Sequence, residues 1–104
     1  MSDLEEYSSY TKVADAREQV AIYEFNIQGF DRILKIKVLR FARTELPYIG
    51  LANYQIKSGK ESSFHQCVTP ASSIKDAVGE ALRGFVMRFD TMDKGLQIKK
   101  IEEW

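Results

Sequence analysis

The chain has one cysteine, one histidine, one tryptophan and two prolines among 104 residues, and its formal net charge is zero. Each shortage removes a class of protein. A lone thiol, Cys67, closes no intramolecular disulfide, so the fold must rest on an apolar core. One His and one Cys do not complete a four-ligand site within the chain, so neither metal nor cofactor is expected. No apolar run approaches the ~20 residues that span a bilayer, and no membrane partner is expected. The start, MSDLEEYSSY, is acidic and polar, unlike a secretory leader. With a single thiol, a reducing, cytoplasmic location is the expectation. Neutral overall charge provides no long-range steering toward nucleic acid or anionic lipid.

What is present is ordinary globular composition, 44% apolar and 29% charged. A chain of this length buries roughly two-thirds of its unfolded surface, enough for one domain. The charge is unevenly spread. Residues 1–20 hold two bases and five acids, a net of −3. Residues 21–60 hold seven bases and three acids, a net of +4, and residues 61–104 hold six and seven, a net of −1. A local basic face is therefore expected in the middle third.

The pattern of apolar residues predicts an α+β domain at 20–104, preceded by an arm or short helix at 1–19, where Leu4, Tyr7 and Ala14 share a helical face. Residues 21–28 alternate as a strand. Residues 32–43 do so most regularly, with Leu34, Ile36 and Val38 on one face and Lys35, Lys37, Leu39 and Phe41 on the other. The intervening Gly29-Phe30-Asp31 predicts a hairpin. Pro47 marks a connection, 48–57 reads as a third strand, and 62–69 as a fourth. Gly50 marks a bulge or a close backbone approach.

A helix is predicted from about 70 to 90. Ile74, Val78, Leu82, Phe85 and Phe89 form its apolar stripe. Two starts compete: Thr69-Pro70 as cap and first-turn proline, and Ser73 with Asp76 three residues on. The tail 95–104 reads as a fifth strand or a docked arm. The summed prediction is an antiparallel meander of four strands, or five, with one long helix on one face. A single helix roofs one face. The Lys35/Lys37/Leu39/Phe41 side is then the open one.

Chemistry-bearing residues are sparse. His65 and Cys67 share a strand face at about 7 Å, long for a nucleophile and base, and no third residue orients the histidine. Lys57-Ser58-Gly59-Lys60 lacks the glycines of a phosphate loop. Asp90/Asp93 and Glu102/Glu103 have no apolar surroundings to raise a pKa. The expectation is a non-enzymatic interaction module. It forms a homodimer or binds another protein through the open sheet face or an edge, with Lys35, Lys37, Leu39, Phe41, Arg43 and Lys57 as binding residues. An alternative is single-stranded DNA or RNA bound on the basic, aromatic sheet face, where Tyr23, Phe25, Arg32, Arg40, Tyr48 and Tyr54 join those cations. A second alternative is a Cys67-dependent enzyme or redox role.

Overall fold

A computed structural model describes residues 4–10, 16–42, 45–66 and 68–104. Ala14, Arg43 and Cys67, all singled out above, lie outside the described residues. The chain forms a short helix α1 (Leu4–Ser8), strands β1 (Arg17–Asn26), β2 (Ile33–Phe41), β3 (Tyr48–Ala52), β4 (Tyr54–Lys57) and β5 (Pro70–Ala71), helix α2 (Ile74–Arg88) and strand β6 (Gln97–Lys100). The main sheet is antiparallel in the order β1-β2-β3-β5, and β4 pairs with β6 in a second, two-stranded sheet. Helix α2 packs on β3, β2 and β5. This is a single α+β domain of the predicted class.

Strand β2 carries the core. Leu34, Ile36 and Val38 have no exposed surface and stand opposite Phe25, Tyr23 and Ala21 of β1. The hairpin between β1 and β2 turns at Gly29, whose φ of 89° lies where a β-carbon is disfavoured. Phe30, just after it, stacks edge-on against Tyr54 and Phe89, at 5.3 and 5.7 Å between ring centres. The rings thereby tie the hairpin to the helix end.

Helix α2 starts at the second of its two candidate caps. Ser73 is extended and its hydroxyl accepts from the Asp76 N–H at 3.1 Å. Pro70 is thereby released to the sheet, and Tyr48 and Ile49 of β3 stand opposite Ala71 and Pro70. The predicted stripe packs on the core as expected, with a line of small residues beside it lying deepest. Ala77, Ala81 and Phe85 are fully buried, whereas Ile74, Val78, Leu82 and Phe89 are half-buried. The cause is Gly50: a β-carbon there would lie 2.5 Å from the Ala77 carbonyl oxygen. A small-residue contact draws the helix close, and the larger side chains flank it. Gly50 is a close approach.

Two predicted strands change. Residues 48–57 are not continuous, because Asn53 interrupts them. Its backbone N–H donates to the Lys35 carbonyl at 2.9 Å and its side-chain oxygen accepts from the Lys35 N–H at 2.8 Å. One residue thus occupies both ladder groups of Lys35, and the chain beyond turns into the second sheet. The described residues of 62–69 form no strand. The single bridge Ile56↔His65 is all that pairs there among the described residues. Phe64 and Val68 remain exposed, so the segment has no apolar face to hold a register. The fourth place in the sheet falls to β5. The tail supplies a strand, β6, but for β4 and not for the main sheet.

Candidate functional site

Register places Lys35, Lys37 and Leu39 on the face away from α2, together with Ile22, Glu24 and Leu51. That face is only partly open. The tail folds back across it: the Ile101 N–H donates to the Asn53 carbonyl at 3.0 Å, and the Trp104 indole N–H donates to the Leu51 carbonyl at 2.7 Å. The Lys37 ammonium lies 4.9 Å from the centre of the Trp104 ring and donates to the Trp104 carbonyl oxygen. Lys37 is therefore half-buried beneath the chain's own tail. Leu39 is 9% exposed and counts among the buried hydrophobic residues. Phe41 is half-buried. Lys57 sits on β4 beside Asp93, apart from the lysines of β2. Of the predicted set, Lys35 and Lys37 share a surface, Leu39 is withdrawn, and Lys57 stands elsewhere.

Beside the tail lies a cleft of about 470 Å³ between the β2 start and the 100–104 segment, lined by Arg32, Lys35, Asn53, Lys100, Glu102 and Trp104 among others. Lys100 and Asn53 have no part in the sequence-based candidate set. The signal for Asn53 was an asparagine, a turn-former, inside an otherwise apolar strand pattern. The signal for Lys100 was absent, since the tail's path is a tertiary outcome. Arg40, counted among the basic candidates, is locked by Glu18 at 2.9 Å and Glu5 at 2.8 Å. Hydrogen bonding to those two carboxylates raises its pKa further and lowers that of Glu5.

The only histidine has a partner that spacing did not reveal. His65 Nε2 lies 2.6 Å from Glu61 Oε2, which also accepts from Arg88 Nε at 3.0 Å. The Ser58 N–H donates to the other oxygen at 3.0 Å. That backbone bond, reinforced by Arg88, holds the Glu61 carboxyl near pKa 2, against an ordinary 4.5. The cluster ties the last turn of α2 to the turn after β4. Cys67, the nucleophile of the enzymatic alternative, is outside the described residues. Among the described residues, no group of three or more His, Cys, Asp or Glu is placed to hold a metal ion. Among them, too, no helix is long and apolar enough to cross a membrane.

The other feature is the outer side of β1. This ten-residue strand ends the main sheet, with β2 on one side and no described strand on the other. Its Tyr23 and Phe25 meet Ile74 and Val78 of α2 in an apolar groove of about 500 Å³. Ile22 and Tyr23 are 47% and 44% exposed, high for apolar residues at the middle of a strand. Comparison with family models, with curated proteins and with solved structures finds no match for this chain.

Proposed function

We propose that this chain is a non-enzymatic interaction module that forms a homodimer by pairing β1 with β1 of a second copy. The observation that carries this reading is the ten-residue edge of β1, with no described strand beyond it, beside the groove that Tyr23 and Phe25 line with Ile74 and Val78. An edge strand presents unpaired N–H and C=O groups, the template for strand addition, and a neighbouring apolar groove supplies side-chain contacts. A homodimer about a two-fold axis requires β1 to be antiparallel to itself.

The sequence of β1 selects the register. Pairing centred on Ala21 sets Glu18 opposite Glu24, and pairing centred on Glu24 sets that residue opposite itself. Like charges directly opposed destabilise a strand pair. Pairing centred on Ile22 runs through the irregularity between Gln19 and Ala21. Centring on Tyr23 keeps to the regular segment beyond it. The two Tyr23 rings then face each other next to the groove, and Phe25 faces the small Ala21.

Light scattering tests the dimer, and cysteine cross-linking tests its register. In a Cys67→Ser background, Tyr23→Cys is expected to form a disulfide-linked dimer on mild oxidation, because directly opposed α-carbons lie about 4.5–5.5 Å apart. Ile22→Cys is expected to link poorly, since its copies are then diagonal neighbours. A strict monomer at high concentration overturns the proposal, and efficient linking at Ile22 alone overturns the register.

A further inference from the structure

The cleft beside Trp104 is independent of the β1 edge and has its own chemistry. Three cations line it, Arg32, Lys35 and Lys100, against one acid, Glu102. In a chain of zero net charge this is a local excess. The Arg32 guanidinium is held over the rings of Phe30 and Tyr54, at 4.9 and 5.0 Å from their centres. Among the described residues, its one ion-pair partner is Asp31 at 3.4 Å, itself almost fully exposed. Lys35 and Lys100 have no ion-pair partner among the described residues, although Glu24 stands opposite Lys35 in the ladder.

The wall facing these cations is a flat ring fixed in place. Trp104 is pinned through its indole N–H to the Leu51 carbonyl, and the Lys37 ammonium lies over one face of its ring, leaving the opposite face for a stacked partner. The tail that carries it is anchored at Asn53 by the Ile101 N–H. A volume of about 470 Å³ is in the range of small-ligand sites. Converging cations favour an anion with several acceptor oxygens, and Arg offers a fork that matches phosphate. A pre-positioned indole favours a planar ring stacked beside it.

We infer that this cleft binds a nucleotide unit, with its phosphate between Arg32, Lys35 and Lys100 and its base against Trp104. The same chemistry is offered by a free mononucleotide and by one residue of a single-stranded chain.

Trp104 is the sole tryptophan, so intrinsic emission reports directly on the cleft. The full chain is titrated at low salt with adenosine monophosphate, adenosine, inorganic phosphate and a short single-stranded oligonucleotide. The monophosphate and the oligonucleotide are expected to change the emission at concentrations about tenfold below those needed for adenosine or phosphate alone. Lys35→Glu combined with Lys100→Glu is expected to weaken both by about tenfold or more, with steep salt dependence lost. Lys99→Glu, one residue along β6 and not part of the cleft lining, is expected to change affinity less than about twofold. Lys35→Gln with Lys100→Gln serves where charge reversal disturbs folding, as judged by circular dichroism. An oligonucleotide bound well above the monophosphate identifies a strand as the source. Equal affinities identify the free nucleotide. No emission change with either, or full affinity in both double variants, overturns the inference.

Discussion

At β5 the main sheet ends in two residues, and one of them, Pro70, has no N–H to offer. At β1 it ends in ten, none of them proline. The helix leans the same way. It packs chiefly on β3, β2 and β5, while Tyr23 and Phe25 of β1 line a groove with its Ile74 and Val78. A short strand bearing proline is a common way to close a sheet edge, and a long bare one is a liability unless something covers it. The two sides of this one sheet thus differ in what they require. The β3–β5 side ends in a short strand bearing proline, and the β1 side is the one that the proposed pairing would complete.

That contrast predicts unequal responses to substitution. The largest is expected at Phe85, which is wholly buried at the centre of the roofed side. Phe85→Ala should cost about 3–5 kcal/mol in urea unfolding, through lost burial and the cavity left behind. Gly50→Ala comes next. The added carbon meets the backbone of Ala77, which cannot swing aside, and forcing β3 and α2 apart should cost about 1–3 kcal/mol. Tolerance at either position would mean that the roof is looser than its close contacts imply.

A smaller effect is expected from the clamp on the helix end. The Glu61 carboxyl is held near pKa 2, below its ordinary 4.5, so its contribution to stability is full above about 4.5 and is lost as pH falls toward 2. Thermal melts across that window should show a steeper decline for the natural chain than for Glu61→Gln, with the two most different at neutral pH. Parallel declines would show that the clamp is idle. The smallest stability change is expected on the bare side. Tyr23→Lys, at a half-exposed strand position, should alter monomer stability by about 1 kcal/mol or less while abolishing the dimer in light scattering. A loss of stability there as large as at Phe85 would erase the distinction between the two sides.

Much of this architecture was legible because it depends on neighbours in the chain. The alternation of Leu34, Ile36 and Val38 with Lys35 and Lys37 sets which face of β2 is covered, since a strand has a period of two. Ser73 and Asp76, three apart, mark where α2 begins. The core-facing stripe of the helix was legible, but which of its residues lie deepest was not. Ile74, Val78 and Leu82 outweigh Ala77 and Ala81 in hydrophobicity, and only the approach of Gly50 makes the alanines the deepest line. The strand expected at 62–69 failed for a related reason. Its residues resemble a strand locally, but no surface was left for Phe64 and Val68 to cover.

The candidate surfaces divide along the same line. From the sequence alone came the fold class, the faces of β2, the helix with two competing starts, and the grouping of Lys35 with Lys37, because each depends on backbone periodicity over a few residues. Tertiary structure alone decided that Asn53 would split a strand and that Glu61 would hold His65. It also decided that Trp104, 67 positions from Lys37, would fold over that lysine and frame a cleft. Those outcomes depend on which distant groups find unpaired donors, acceptors and uncovered rings once the core has formed, and no local pattern encodes that competition.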